Sequence, residues 1–269
     1  MGFCHYENFP VASLLLPSRF RRPIALIYRF AREADDLADE GDTPAPARLE
    51  QLERFHEQLR RIGRGAPPDI PWFADLAAVI REHDLPLPAF AELLSAFAQD
   101  VTRTRYADFA EVLDYCRRSA NPVGRLLLHL FKRTSETQLR QSDAICTALQ
   151  LINFWQDAAI DYAKDRIYLP QDDMALHGVA EAHLAEQRCD EAWRQLMAFQ
   201  VQRSRELMLS GAALGAGLPG RVGLEIRTTV QGGLRILRKI ELAGYDVFRR
   251  RPVLRWFDWP PVLARALRK

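Results

Sequence analysis

Helical spacing of apolar residues runs through nearly the whole chain, and the alternating pattern of β-strands does not occur convincingly. Clusters of Pro and Gly separate the helical stretches and limit their lengths. The pattern predicts helices over residues 20–40, 47–63, 71–83, 87–102, 108–132, 136–163, 181–212, 219–247 and 260–268. No break is long enough for a linker between domains. We therefore expect one all-α domain over residues 1–269.

The composition is that of an ordinary globular protein, with 48% hydrophobic and 27% charged residues. A formal net charge of +2 and the lack of a recognition motif argue against nucleic-acid binding. The four cysteines lie far apart without a CxxC pair, which predicts reduced thiols. There is no secretory pattern and no run of about 18 apolar residues. These features predict a cytoplasmic protein, at most peripheral to the inner membrane.

Two predicted helices carry aspartates four residues apart, Asp35 with Asp39 and Asp157 with Asp161. Positions four apart share one helix face, so each pair presents a wall of carboxylate oxygens. Two such walls facing each other across a helical bundle would suit Mg²⁺ and a diphosphate. Solvated helix faces also carry such spacings, and simple Asp–Arg salt bridges are the competing account.

The helix around Asp157 is apolar except for one stripe, which contains Gln150, Asn153, Asp157 and Asp161. Burying an unpaired carboxylate costs on the order of several kcal/mol, so this stripe needs a cationic partner. A divalent cation would fit, because Mg²⁺ prefers carboxylates, substrate phosphates and water.

Cationic and aromatic residues accompany both acidic pairs. Tyr28 and Arg32 share the helix face of the first pair, and Lys164 and Arg166 closely follow the second. The two later cations could bind a diphosphate or cap the helix C-terminus.

Residues 115–125 interrupt a helical stretch with Pro122, which should kink the helix and free backbone carbonyls. Ala120 and Gly124 would let a substrate approach the backbone, although a kinked packing helix is the plainer alternative. His129 follows between leucines, where a hydrogen-bonded core histidine is the commoner role.

Together these residues resemble the squalene/phytoene synthase family, the isoprenyl diphosphate synthases that join two chains head to head. The resemblance runs from His5 to about Arg251, and residues 32–39, 150–161 and 166–170 carry its most specific motifs. Residues 5–9 and 115–124 are most similar to the members that form hydroxysqualene in bacterial hopanoid biosynthesis.

The resemblance implies an isoprenoid synthase bundle with a central cavity between the acidic helices. It further implies Mg²⁺-dependent ionisation of presqualene diphosphate followed by capture of water. The four aspartates would be Mg²⁺ ligands, and other enzymes of the pathway would be partners. The remaining candidates are Tyr28, Arg32, Tyr115 and His129 for catalysis, and Phe9, Gln150, Asn153, Phe154, Lys164, Arg166 and Arg250 for substrate binding.

Three departures from the common head-to-head pattern argue against the full two-substrate condensation and are compatible with an enzyme that performs only the second half of the reaction. They are Glu7 in place of a basic residue, Gly232-Gly233 where a tyrosine is frequent, and Arg117-Arg118 after Tyr115-Cys116. A complete head-to-head synthase is the enzymatic alternative. A non-catalytic helical assembly factor is another, but it would be expected to lose acidic residues that this chain keeps.

The C-terminal residues 249–261 mix arginines with aromatic side chains. Such a mixture could touch a membrane surface, which would suit a strongly apolar substrate. A tail that docks on the core with solvated arginines is the alternative.

Overall fold

The computed structural model describes residues 17–39 and 43–268. Within these ranges the regular structure is helical, and the only β-pairing is an isolated bridge between Arg105 and Ile167. The helices are α1 (Ser18–Asp39), α2 (Ala45–Gly63), α3 (Pro71–His83), α4 (Leu87–Asp100), α5 (Phe109–Ser119), α6 (Asn121–Leu130), α7 (Glu136–Ala163), α8 (Gln171–Leu176), α9 (Glu181–Ala185), α10 (Glu191–Gly211), α11 (Ala213–Gly217), α12 (Gly220–Leu242) and α13 (Trp259–Leu267). The predicted all-α class is confirmed.

Three predicted helix boundaries are wrong. The stretch 108–132 is two helices, because the backbone is distorted at Ala120 (φ −118°) and α6 begins at Asn121 with Pro122 in its first turn. The stretch 181–212 is also divided, and Asp190 caps the second part by accepting from the Trp193 N–H. The long helix predicted to end at 247 ends at Leu242, before a turn through Gly244 at φ 62°.

The helices build two hydrophobic cores. α1 packs against α2, α3, α4 and α6, and Phe30 fills the centre of this half, with its ring edge-on to Phe73 and Phe90. The other half surrounds α7, which packs against α5, α6, α10 and α12. There the buried Trp155 donates to Ser204 Oγ at 2.7 Å. No helix of the described ranges is both long and apolar enough to cross a membrane.

α6 joins the two cores. Leu126 and Leu130 face the half built on α1, whereas Leu128 faces the half built on α7. Gly124 lets α6 approach α7 closely, since a Cβ there would overlap Ser142 Oγ and Cys146 Sγ. This packing fixes the position of α7 relative to the rest of the bundle.

Candidate active site

The acidic ends of α1 and α7 meet at a group of cations. Asp39, the last residue of α1, lies 2.6 Å from the buried guanidinium of Arg166 and 3.8 Å from Lys164 Nζ. Both cations closely follow the end of α7. The charge of Asp39 also contributes to raising the pKa of Asp161. The C-terminal ends of the two helices that carry the predicted walls therefore lie close together.

The carboxyl groups at this site are poorly solvated and repel one another. Burial, and then the charge of Asp39, raises the pKa of Asp35 to about 7, against the opposing effect of Arg32. The Asp35 side chain keeps 38% of its surface exposed, so water still reaches this carboxylate although the surrounding protein displaces much of its hydration. Burial followed by the charge of Asp157 raises the pKa of Asp161 well above its ordinary value. Such a site favours an added cation.

The C-terminal basic cluster reaches the second acidic pair through Arg251. Its Nε and Nη2 both donate to the carboxylate of Asp157, with an Nη2–Oδ2 distance of 2.9 Å. Gln156 donates to the carbonyl of Pro252, which holds this part of the chain across α7. Arg250, which the sequence predicts to close over the site, is exposed, and its neighbour Arg251 makes the contact with Asp157.

Asp100, at the end of α4, is a member of the site that the sequence analysis missed. It is buried and accepts hydrogen bonds from Tyr115 and, at 3.2 Å, from Tyr168. Arg166 donates to its backbone carbonyl at 3.3 Å. Burial raises the pKa of Asp100 to about 8, although the charge of Arg166 opposes the shift. A lone aspartate after an apolar helix gave no spacing signal by which it could be found.

Aromatic rings fill the space behind the acidic residues. Phe154 and Tyr168 stack at 3.8 Å between centroids, and Tyr115 packs beside both. The gap that Phe154 and Tyr168 line with Asp161 and Arg166 measures only about 10 Å³.

The other predicted residues occupy different positions. Arg32 pairs with Asp36 at 2.9 Å and lies 3.8 Å from Asp35. Tyr28 is half-buried on α1, and Gln150 and Asn153 are half-buried on α7. Phe9 lies outside the described residues.

His129 is not brought to the acidic site. It lines a separate cleft of about 410 Å³ between α4, α6 and the first turns of α7, together with Arg125 and Asp143. Asp143 precedes Asp157 by about four helical turns, which places this cleft far along α7 from the acidic pair.

The donor set fits Mg²⁺, although the described residues contain no preformed metal site. In the part of the chain that the structure describes, no three acidic, histidine or cysteine side chains are grouped as ligands. Guanidinium groups hold Asp39 and Asp157 instead. Asp39 Oδ1 is buried without a well-directed hydrogen bond, and all the candidate ligand atoms are hard carboxylate oxygens. Both observations are compatible with a divalent cation.

Comparison with known proteins identifies the family. A sequence model of squalene/phytoene synthases matches residues 4–258. The chain belongs to this family. A hydroxysqualene synthase of Rhodopseudomonas palustris is 36% identical over 87% of this chain and 80% of its own length. A phytoene synthase of Thermus thermophilus is 32% identical over 97% of this chain and 88% of its own length.

Solved structures of the squalene/phytoene synthase fold superpose on this one. The crystal structure of squalene synthase HpnC from Alicyclobacillus acidocaldarius has a TM-score of 0.82 at 36% identity and covers 90% of each chain. A dehydrosqualene synthase in complex with ligand has a TM-score of 0.85 at 23% identity, over 94% of this chain and 87% of its own. This family comprises enzymes that act on isoprenoid diphosphates, and the present chain is one of them.

Proposed function

We propose that this enzyme is a hydroxysqualene synthase, a carbon–oxygen lyase that converts presqualene diphosphate and water to hydroxysqualene and diphosphate. The observation that carries the proposal is the meeting of the acidic ends of α1 and α7 beside Arg166, Lys164 and Arg251. Hydroxysqualene synthases of Rhodopseudomonas palustris and Zymomonas mobilis, at 36% and 34% identity, support this product and a role in hopanoid biosynthesis.

The four aspartates are the residues that would hold Mg²⁺. When bound, the metal would supply positive charge that stabilises a departing diphosphate. The guanidinium groups of Arg166 and Arg251 lie beside these carboxylates, where they can also bind phosphate oxygens. Arg32 adds a further cation at the mouth of the site.

In the proposed reaction the bond between carbon and the diphosphate oxygen breaks, and both electrons leave with the diphosphate. The cyclopropylcarbinyl cation rearranges, and a water oxygen forms the new bond to carbon and loses one proton. The rings of Phe154, Tyr115 and Tyr168 pack against one another behind the acidic residues, where they would face the cation. Each aromatic face can stabilise a cation by about 0.5–2 kcal/mol.

We propose that the released diphosphate accepts the proton that the captured water loses. Burial and the charge of Asp100 raise the pKa of Tyr115 well above its ordinary value of 10.0, so this hydroxyl keeps its own proton. His129 lines the separate cleft and is poorly placed to take the proton. The diphosphate is formed beside the cation and is a base.

Product analysis tests the proposal. Purified protein with Mg²⁺ and presqualene diphosphate should give hydroxysqualene and diphosphate, detected by mass spectrometry, with or without NADPH. Asp157→Ala should release no diphosphate, whereas Asp165→Asn, which neutralises a carboxylate that is 80% exposed and keeps a residue that tolerates its left-handed backbone, should turn over normally. Reduction to squalene in the presence of NADPH, or full turnover by Asp157→Ala, would overturn the proposal.

A complete head-to-head synthase is the second candidate, and the phytoene synthase match over 97% of the chain favours it. Incubation with farnesyl diphosphate or geranylgeranyl diphosphate alone distinguishes the two, because only a complete synthase consumes a prenyl diphosphate without help.

We further propose that the protein is cytoplasmic and contacts both the membrane and the enzyme that supplies its substrate, since substrate and product are strongly apolar.

A further inference from the structure

The C-terminal segment, residues 249–268, exposes large apolar side chains that the fold does not cover. Trp256 is 82% exposed, Phe257 47% and Leu267 65%. Single exposed apolar residues are common on protein surfaces, but a group of them within one short stretch usually marks an interaction site.

α13, within this segment, is apolar on both faces. Val262 and Ala266 are buried where α13 packs on α12. Leu263 and Leu267, one helical turn apart, lie on the outer side. Arg265 is the one charged residue of α13. A helix that is apolar all round is normally covered on every side, so this outer face needs an apolar partner.

Positive charge surrounds these apolar side chains. The one acidic residue of the segment, Asp258, is fully buried and pairs with Lys239 and, at 2.8 Å, with Arg235. It therefore does not offset the charge at the surface. The exposed arginines of the segment are Arg249, Arg250, Arg255, Arg265 and Arg268.

We propose that this segment docks the protein on an anionic lipid bilayer. Trp256, Phe257 and the two outer leucines would enter the interface, and the arginines would lie against the headgroups. A second copy fits less well, because two such faces would bring arginines of the same sign together.

The segment also connects the lipid surface to the acidic site. Arg251, which pairs with Asp157, precedes the exposed Trp256 by five residues, which span at most about 18 Å of extended chain. Docking would therefore hold the site close to the membrane that dissolves an apolar substrate. This consequence rests on the proposed function, whereas the docking itself does not.

Vesicle flotation of the full chain tests the docking. The vesicles contain phosphatidylcholine with about one phosphatidylglycerol in three lipids, or phosphatidylcholine alone. Trp256→Ala with Phe257→Ala, and separately Leu263→Ser with Leu267→Ser, should each weaken binding to the anionic vesicles about tenfold or more. Leu176→Ala, which removes a leucine that is 77% exposed on α8, is the matched control and should bind as the wild type does.

A third double variant tests how much the arginines contribute to vesicle binding. Arg265→Gln with Arg268→Gln should weaken binding to anionic vesicles about tenfold and leave binding to phosphatidylcholine unchanged. Flotation that is equal for the wild type and all three double variants would overturn the proposal. Wild-type binding that does not depend on anionic lipid would also overturn it. So would sedimentation that shows a wild-type dimer which the Leu263→Ser, Leu267→Ser double variant no longer forms.

Diphosphate release separates this proposal from the proposed function. With presqualene diphosphate dispersed in detergent, the Trp256 and Leu263 variants should release diphosphate at the wild-type rate. A wild type that floats with anionic vesicles but releases no diphosphate would contradict the proposed function alone. Release without flotation would contradict the docking alone.

Discussion

Arg251 and Asp157 form a two-pronged ion pair although they are 94 residues apart in the chain. Their side chains are only 20% and 14% exposed, so water weakens the interaction little. The pair joins the C-terminal segment to the second acidic motif. A residue outside both acidic motifs therefore belongs to the candidate site.

Replacement of Arg251 should impair diphosphate release, while replacement of its neighbour should not. Arg251→Gln should lower kcat/KM by about 10- to 100-fold, because a cation that stabilises the leaving diphosphate is lost. Arg250→Gln changes an exposed side chain and should stay within a factor of about two of the wild type. Steady-state kinetics with Mg²⁺ checks both variants. Equal losses would contradict the assignment of Arg251.

Arg166 should contribute far more to stability than Lys164. Arg166→Gln leaves the mostly buried carboxylate of Asp39 without its closest cation and should lower the free energy of unfolding by about 3–5 kcal/mol. Lys164→Gln, whose exposed ammonium lies 3.8 Å from Asp39, should lower it by less than about 1 kcal/mol. Urea unfolding at neutral pH without Mg²⁺ measures both. A small loss for Arg166→Gln would show that the ion pair is weak.

Asp100 should make the protein less stable as the pH rises. The pKa of Asp100 is about 8 in the folded protein, against an ordinary value of 3.8. The folded state therefore holds the proton more tightly than the unfolded state does. The stability from this group is complete below about pH 4 and falls progressively until about pH 8. Asp100→Asn cannot ionise and should remove this part of the slope. Free energies of unfolding measured from pH 5 to about 9 test this prediction. The same pH dependence in the wild type and in Asp100→Asn would contradict the raised pKa of Asp100.

Local patterns predicted much of the fold and part of the site. Apolar spacing located most of the helices. Spacing of four also identified the acidic faces of α1 and α7, because such faces depend only on helical geometry.

Contacts between distant segments could not be predicted in the same way. The identity of the arginine beside Asp157 depends on how residues 249–253 cross α7, and the sequence offers three adjacent arginines. Asp100 joins the site only because α4, α5 and the chain after α7 meet there. His129 shows the converse, since a suitable side chain lies on a helix that carries it elsewhere.

Close packing of α6 against α7 should tolerate no side chain at Gly124. Gly124→Ala would overlap Ser142 and Cys146 and should lower the free energy of unfolding by about 1–3 kcal/mol. Gly217→Ala is the matched control, because a Cβ there has no neighbour within 4 Å. It should be neutral or stabilise by up to about 1 kcal/mol. Thermal unfolding of both variants tests this prediction. Equal stability of Gly124→Ala and Gly217→Ala would contradict the close approach of α6 to α7.

We expect Asp35 on α1 and Asp157 on α7 to belong to one site for Mg²⁺ and diphosphate. Titration calorimetry of Mg²⁺ with inorganic diphosphate measures this binding without any assumption about the isoprenoid. Asp35→Asn and Asp157→Asn should each weaken binding by about tenfold or more, and Asp165→Asn should not. Wild-type affinity in Asp35→Asn or in Asp157→Asn would show that the two aspartates do not share a binding site.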